Sequence, residues 1–336
     1  MQYETIRVDK SLYKNAGGFL AALEKLDPSE RYANVGGGEL AGLDAFQRQL
    51  KRFGIKVSGP GSSSISKFFS TADSAALFPE YVSRAVAQGG QDESILDEII
   101  SARTDVQSMD YRSITTDLSD SAQSFGQVIA EGGEIPVTNI VLNENLVSLK
   151  KRGRMLRASY EAIKFQRLDV FTVALRQIGA YIAKAQLADA VDTLIGSGAN
   201  AAETVSQTGS ALAYSDLLKL WGKFEDFEMN VLLASPSMAA SILNVPELRD
   251  PLAGIGFQTG NGLVTPFGAK LIKSAVVPEG KVIALDKRFA LEMVTAGGVQ
   301  VEYDKLIDTQ LERAAVTSVC GFTKLFPGAV KVLEDK

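Results

Sequence analysis

The sequence predicts an α+β protein built around one long helix, with strands before and after it. Between Phe171 and Ile195, apolar residues recur at steps of three and four, which places one continuous stripe along a helix. Asp169 is the predicted N-cap and Gly196 the predicted C′ residue, so about 27 residues form a rod of roughly 40 Å. Many alanines and glycines keep this helix slim, so we expect sheets to pack close to it. Its predicted core residues are Phe171, Leu175, Ile178, Ile182 and Ala185.

Composition limits the class of protein. The 336 residues are enough for two or three domains, and a hydrophobic share of 46% is ordinary for a chain that buries a core. The net charge of −5 argues against strong general affinity for nucleic acid. No apolar run is long enough to span a bilayer and the N-terminus lacks a signal-peptide pattern, so we expect no membrane partner.

The chain contains no histidine, which excludes large classes of enzyme. Ser-His-Asp and Cys-His catalytic arrangements and histidine-ligated zinc sites are all ruled out. Cys320 is the single cysteine, so it cannot form an intrachain disulfide or a thiolate metal site, and such usage fits a reducing cytoplasm. We therefore expect no catalytic residue, cofactor or enzyme activity, although a magnesium or calcium site made of carboxylates alone stays open.

An extended hairpin is predicted before the long helix. Two short apolar runs within residues 121–145 flank Glu131, Gly132, Gly133 and Glu134, which form a turn signal. The apolar content is too small for a buried hairpin, and Pro136 suits an exposed strand, so we expect a projection that contacts a neighbouring subunit. The candidate contact residues are Phe125, Val128, Ile129, Glu131, Glu134 and Ile135.

A basic strand is predicted between this hairpin and the long helix, at residues 146–158. No aromatic residues alternate with its charges, as a stacking platform for nucleic acid would require. The favoured interpretation is pairing with acidic residues of a neighbouring chain, and a nucleic-acid site or a solvated strand face are the alternatives. The candidate contact residues here are Lys150, Lys151, Arg152, Arg154 and Arg157.

The remaining segments predict a loosely organised N-terminal region and an α/β region after the long helix. Residues 1–57 are mainly helical by pattern, and 58–64 (SGPGSSS) have the composition of a linker. Residues 199–210 mark a boundary, and 245–263 form a long loop rich in glycine and proline. Strands are predicted at 230–234, 269–274, 281–285, 289–295, 299–305, 311–324 and 329–333, with helices at 216–224 and 237–243.

Several short motifs accompany this order of elements. A strand ends in Ser-x-Glu at 159–161, the long helix closes with Leu-Ile-Gly-Ser-Gly at 194–198, and a Pro-Phe-Gly-Ala-Lys turn occupies 266–270. Pro-Glu-Gly-Lys-Val-Ile-Ala-Leu-Asp follows at 278–286, and Ser-Thr-Ala-Asp-Ser-Ala-Ala-Leu-Phe-Pro-Glu-Tyr-Val stands upstream at 70–82. In this order and spacing, the chain resembles the major capsid proteins of tailed bacteriophages, which have the Hong Kong 97 fold. The resemblance covers about residues 68–335.

The resemblance implies a fold with a long spine helix, an extended β-hairpin loop, a peripheral domain and an axial α/β domain. It implies a protein that self-assembles, as pentamers and hexamers, into the icosahedral head of a tailed phage or prophage. Assembly would occur in the bacterial cytoplasm and the product would be the virion capsid, with scaffolding protein, portal and double-stranded DNA, bound without sequence specificity, as partners. The implied segments are an N-terminal arm or scaffold-like segment (1–67), the N-terminal part of the subunit (68–118), the extended loop (119–146), the peripheral domain with the spine helix (147–200), the axial domain (201–295) and the return strands (296–336).

One expected feature of the family is missing. Relatives that cross-link their subunits use a lysine in the extended loop, whereas residues 120–149 contain none, so we expect a non-covalent shell.

Two alternative functions remain. The first is an encapsulin nanocompartment of the same fold, against which the long segment 1–67 argues. The second is an α/β enzyme that uses carboxylate chemistry at Asp216, Glu225, Asp226 and Glu228, although acids around a helix end usually form a solvated face.

Overall fold

Helices and mixed sheets form two compact units, which confirms the predicted α+β class. The computed structural model describes residues 6–15, 18–33, 40, 42–92, 95–108, 110–116, 140–142, 146–159, 161, 165–209, 211–249, 263–265, 267–306 and 311–335. The first unit comprises Met1–Glu93, Arg152–Ala183 and Val299–Ser318, and the second comprises Ser94–Lys151, Lys184–Gly298 and Val319–Lys336. The predicted division into six segments stays a prediction.

The first unit contains most of the N-terminal helices. Its apolar core draws on segments far apart in sequence, because Val8, Leu23 and Leu50 lie in the same buried cluster as Leu175 and Val316. Described residues between 6 and 57 therefore contribute to a core. The helices are α1 (Gly18–Leu26), α2 (Glu30–Ala33), α3 (Ala45–Arg52), α4 (Ala72–Ala75) and α5 (Phe78–Asp92), with 3-10 turns at Lys10–Lys14 and Ile65–Phe69.

The composition of residues 58–64 predicts a linker, but the structure ties this segment to the start of the long helix. The backbone N–H of Leu168 donates to Ser63 O at 2.9 Å, and that of Ile65 donates to Gln166 O at 3.0 Å. The N–H groups of the buried residues Ile65 and Leu168 thus have partners, as buried polar groups require. The segment is an ordered joint, and the prediction of a linker is wrong.

Among the described residues up to residue 195, one short helix and the long helix follow α5. After α6 (Leu96–Ile99), the long helix α7 spans Leu168–Ile195, a length of 28 residues. Gly196 follows with φ +66°, as predicted for a C′ residue. The predicted N-cap is wrong, because the helix begins at Leu168 and Asp169 lies inside its first turn, where its carboxylate accepts the N–H of Val170.

The predicted core residues of α7 differ in burial. Leu175 and Ile182 are buried, whereas Phe171 and Ile178 are partly buried and pack against the same cluster. Ala185 is half-buried.

The close packing expected for a slim α7 occurs against a helix in the first unit. A Cβ added to Gly179 would lie 2.0 Å from Val86 O, a backbone atom of α5. Glycine is required here because only a residue without a Cβ allows two helical backbones to approach so closely. At this point the neighbour is a helix and not a sheet, whereas Ala190 and Leu194 further along α7 share a buried cluster with sheet strands, as expected.

A six-stranded sheet forms the centre of the second unit, in the order β5-β13-β9-β6-β8-β7. All residues of the β6 strand are buried, because alternate side chains enter two different cores. Val231 and Leu233 join the residues of α7, and Leu232 and Ala234 face the helices that follow. The strands are β5 (Glu203–Ser206), β6 (Val231–Ala234), β7 (Leu263–Val264), β8 (Lys270–Lys273), β9 (Lys281–Leu285) and β13 (Val330–Glu334), and the helices are α8 (Tyr214–Gly222), α9 (Pro236–Asn244) and α10 (Pro246–Arg249).

A second sheet is organised by one long strand, β12, which continues from the first unit into the second. Its N-terminal part pairs antiparallel with β11, and its C-terminal part pairs antiparallel with β10, whose other edge pairs parallel with β1. The basic strand β4 also pairs with β12. The strands are β1 (Ala102–Asp105), β4 (Lys150–Ser159), β10 (Leu291–Thr295), β11 (Gln300–Leu306) and β12 (Leu311–Lys324).

The base of the predicted hairpin is a short antiparallel pair. Strand β2 (Ile114–Thr116) pairs with β3 (Ile140–Leu142), so that Ile114 lies opposite Leu142. The six candidate contact residues between 125 and 135 lie outside the described residues. The predicted loop 245–263 begins with the short helix α10, and residues 250–262 of it also lie outside the described part.

Candidate assembly surface

The basic strand β4 has two faces with different roles. Lys151, Met155 and Arg157 alternate along one face and are exposed, whereas Leu156 on the other face packs against the core of the first unit. At Gly153 the strand lies against β12, because a Cβ there would be 2.5 Å from Val316 O. The odd-numbered face of β4 therefore presents its charges and a thioether to solvent.

Two of the predicted contact residues on β4 already have partners on α7. Lys150 Nζ donates to Asp189 Oδ1 at 2.7 Å, and only 8% of the Asp189 side chain is exposed. The Arg154 guanidinium lies over the Tyr181 ring, 5.3 Å from its centroid, which is a cation–π contact of about 0.5–1 kcal/mol. These two cations hold β4 in place within the subunit.

Two other cations on the strand are available for a neighbouring subunit. Among the described residues, neither Lys151 nor Arg157 has an ion pair, and both are exposed. Arg152 is half-buried. The sequence alone does not distinguish the five basic residues. In the structure, Lys150 and Arg154 differ from the others because they contact side chains of α7.

One face of α7 exposes apolar side chains in the first unit. Val170, Val173 and Tyr181 are exposed, with 66% of Val173 accessible, and Gln177 continues the same face. Large apolar side chains that cluster at the surface commonly mark an interface. Sequence reasoning missed this stripe because it followed the stronger buried stripe, although Val170, Val173 and Tyr181 also recur at helical spacing.

A buried carboxylate in the second unit anchors the base of the hairpin. Glu292 on β10 is buried and accepts hydrogen bonds from Thr104 Oγ1 at 2.5 Å, from Tyr111 OH at 2.7 Å and, at short range, from Ser113 Oγ. Burial, and then the hydrogen bond to Glu292, raise the pKa of Tyr111. Val147 N–H donates to Tyr111 O at 2.9 Å. Both chain segments that lead into β2 and out of β3 are thus fixed to one sheet.

Two acids of the enzyme alternative, Asp216 and Glu228, have structural roles. Asp216 is fully buried and accepts the Thr208 hydroxyl at 2.6 Å. Burial raises its pKa, but hydrogen bonds led by that from Thr208 outweigh this effect and lower it. A general acid at neutral pH needs a raised pKa, so Asp216 is unsuited to that role. The carboxylate of Glu228 pairs with Arg288 at 2.9 Å.

The described residues contain no group of three or more Cys, Asp or Glu side chains that could hold a metal ion. Within the same part of the chain, no helix is long and apolar enough to cross a membrane.

Comparisons with known structures identify the fold. A virus-like particle from Pyrococcus furiosus is similar with a TM-score of 0.53 and 13% identity, over 76% of this chain and 99% of that chain. The holo-SrpI encapsulin complex from Synechococcus elongatus is similar with a TM-score of 0.51 and 16% identity, over 69% and 84%. The capsid of an empty GTA particle is similar with a TM-score of 0.54 and 12% identity, over 72% and 90%. The predicted Hong Kong 97-like capsid fold is confirmed.

A sequence family extends the comparison from fold to kind of protein. No curated protein sequence matches the chain. The family described as phage capsid protein matches residues 143–328, which is more than half of the chain and includes β4, α7 and five of the six strands in the central sheet of the second unit. The resemblance inferred from the order of motifs is confirmed, and the capsid family is one of structural shell proteins. The chain belongs to the phage capsid protein family.

Proposed function

We propose that the chain is the major capsid protein of a tailed double-stranded DNA phage or prophage. It self-assembles as pentamers and hexamers into an icosahedral head in the host cytoplasm, with scaffolding protein and portal, and encloses DNA without reading its sequence. The observation that carries the proposal is the exposed apolar face of α7, beside a basic strand, in a chain of a capsid family.

Covering the exposed apolar face of α7 contributes part of the binding free energy of an interface. Burying a half-exposed apolar side chain contributes about 1 kcal/mol, so Val170, Val173 and Tyr181 together contribute about 3 kcal/mol. That amount is small against the cost of association, which is about 4–15 kcal/mol. A shell subunit makes several interfaces at once. Each interface can therefore be weak, as long as every subunit makes many of them.

The occupant of this face is the extended loop 119–146 of a neighbouring subunit. Its apolar candidates Phe125, Val128, Ile129 and Ile135 match the stripe on α7, and Glu131 and Glu134 match Lys151 at the start of β4. The anchored base of the loop supports this arrangement, because a base that is already fixed lowers the entropic cost of binding.

The test is assembly of the purified chain, followed by sedimentation and electron microscopy. We expect closed particles or capsomers from the wild type. Val173→Asp should stay folded by circular dichroism but assemble poorly, because it puts a charge in the covered face. The matched control is Leu20→Asp, an exposed apolar residue of α1. A single 36 kDa species at high concentration and with scaffold present would refute the proposal.

The shell is held without covalent cross-links, because residues 120–149 contain no lysine. Mature particles should therefore separate into single chains on a denaturing gel. Multimers that survive boiling in detergent would contradict this, and Lys150→Arg would then test the nearest lysine.

A second candidate is an encapsulin shell, which the similarity to the SrpI encapsulin complex supports. The two functions differ in contents. Particles purified from the native host should contain DNA if the chain is a phage capsid protein, and an enclosed protein if it is an encapsulin. The genes beside this one give an independent check, since terminase and portal genes favour a phage.

A further inference from the structure

An aromatic pocket lies in the second unit and shares no residue with the basic strand or with the stripe on α7. It is an open cavity of about 510 Å³ between the end of α8, the loop 223–230 and the turn at 267–268. Trp221, Phe224, Phe227 and Phe267 form its walls, and the buried Met229 lies at its base. Nothing in the assembly surface already described uses this pocket.

The rings of the pocket are held rigidly. The Trp221 indole stacks on Phe267 with centroids 6.1 Å apart, and Tyr214 stacks on Phe267 at 5.5 Å. Phe227 meets Phe289 edge-on at 5.7 Å. Half of Trp221 is nevertheless exposed. A rigid, half-exposed indole is a common hot spot of protein interfaces, because little entropy is lost when it is covered.

The loop 223–230, which forms one wall of the pocket, carries three acidic residues, of which Glu228 lines the pocket, and two cations beside this loop have partners. Glu225, Asp226 and Glu228 lie in the loop that forms one wall, and Asp226 has no ion pair among the described residues. Arg288 is shared between Glu228, at 2.9 Å, and Asp286, at 2.8 Å. Lys223 pairs with Glu203, at 2.8 Å. The pocket therefore favours a cation, and its aromatic faces favour a planar one that can stack.

The chain itself carries a segment that matches this chemistry. On the exposed face of β4, Arg157 has no ion pair among the described residues, and Met155 stands two residues before it with its side chain also exposed. A guanidinium suits the acidic rim and stacks on indole, while a thioether packs favourably against aromatic rings. The cavity volume accommodates both side chains.

We propose that the Trp221 pocket receives Arg157, with Met155 beside it, from a second copy of the chain. This inference rests on the proposed function, since the second copy is the neighbour in the shell. It adds a contact distinct from the one between the extended loop and α7.

Trp221 is the single tryptophan of the chain, so its fluorescence reports on this pocket alone. The experiment compares acrylamide quenching of Trp221 in unassembled subunits and in particles of the full chain. We expect ready quenching in subunits and, in particles, loss of quenching with a shift of the emission to shorter wavelength. Particles in which Trp221 stays as quenchable as in subunits would overturn this inference and leave the proposed function intact. A chain that forms no particles at all would overturn both.

Charge variants identify the occupant. Arg157→Glu should reduce assembly or leave Trp221 quenchable, Arg157→Lys should behave nearly as wild type, and the double variant Arg157→Glu with Asp226→Lys should restore protection. The matched control is Lys273→Glu, at an exposed lysine on β8. Protection of Trp221 that survives Arg157→Glu unchanged would show a different occupant and overturn the assignment, as would failure of the double variant to recover.

Discussion

Replacing Gly179 by alanine should destabilise the first unit strongly, although alanine is the better helix former. Gly179 lies in the middle of α7, where α5 crosses it. A Cβ at this position would be 2.0 Å from Val86 O and 2.7 Å from Gly90 N. The approach is reciprocal, because a Cβ at Gly89 would be 2.1 Å from Arg176 O. All of these neighbours are backbone atoms, which cannot rotate away as a flexible side chain could.

The expected magnitude follows from two opposing effects. Alanine gains about 1 kcal/mol of helix propensity over glycine. To reach ordinary van der Waals contact with the added Cβ, the two helices would have to separate by more than about 1 Å. A gap of this size removes a quarter to a half of the dispersion energy of the atoms that line it. Leu175 and Ile182 lie on the same side of the cluster as Val82 and Val86 and would lose contacts. We expect a net loss of about 3 kcal/mol or more, a large part of a typical stability of about 5–15 kcal/mol.

Denaturant unfolding of the unassembled chain, followed by far-ultraviolet circular dichroism, measures this loss. Gly90→Ala is the matched control, because its added Cβ would lie 3.6 Å from Gly179 O and 3.9 Å from Gly179 C, which are ordinary contacts. This control should be neutral or stabilised by up to about 1 kcal/mol, whereas Gly89→Ala should resemble Gly179→Ala. The reasoning fails if Gly179→Ala unfolds within about 0.5 kcal/mol of wild type, or if Gly90→Ala is as harmful as the other two.

Three further predictions concern buried charges. Ile178→Asp should unfold the subunit, since a carboxylate against the core of the first unit costs several kcal/mol, whereas Val173→Asp on the exposed face should keep its circular dichroism. Burial raises the pKa of Asp286, but hydrogen bonds led by that from Arg288 lower it to about 2. Because the pKa of Asp286 is lower in the folded state, its ionised form should contribute about 2 kcal/mol of stability above pH 4, which is lost as the pH falls towards 2. Urea titrations at these two pH values measure the difference, and Asp286→Asn should remove it. Glu292→Gln should lower stability by about 1–3 kcal/mol and impair assembly, measured by denaturant unfolding and sedimentation, because an amide cannot accept all three hydroxyls.

Strands whose burial is set by local pattern could be predicted closely from the sequence. The bounds of β9 and β12 agree with the predicted runs 281–285 and 311–324. Pro278 and Gly280 form the turn that precedes β9. The apolar run of β9 is continuous because helices cover both faces of the sheet. Such signals lie within a few residues of each other, so no knowledge of distant contacts is needed.

The first residue of α7 could not be predicted from the local sequence, because it depends on a contact with a residue far away in the chain. Asp169 has the composition of an N-cap, yet the helix begins at Leu168, whose N–H donates to Ser63 O at 2.9 Å and whose side chain is fully buried. A residue more than 100 positions away therefore supplies the hydrogen bond that an N-cap usually provides. The same kind of distant contact orders residues 58–64, which composition alone describes as a linker.

The candidate surfaces were predictable in outline only. The basic run on β4 is visible in the sequence, but the pairing of Lys150 with Asp189, which leaves Lys151 without an ion pair among the described residues, depends on tertiary contacts. Trp221 gives no sequence signal at all, because an indole on an amphipathic helix is usually part of the core. In the structure Trp221 stacks on Phe267, and half of it stays exposed.

A closed shell needs more than one kind of contact. Two complementary patches on each subunit can join copies head to tail, which yields a ring or an open filament according to the rotation between neighbours. A lattice that closes in two dimensions requires at least one further, different pair of patches. The proposed contact of the extended loop with α7 is one such pair, and the proposed contact of Arg157 with the Trp221 pocket is a second that uses none of the same apolar side chains. Because the two pairs are independent, loss of the Trp221 contact should leave small oligomers joined through the loop, whereas loss of both should leave single subunits.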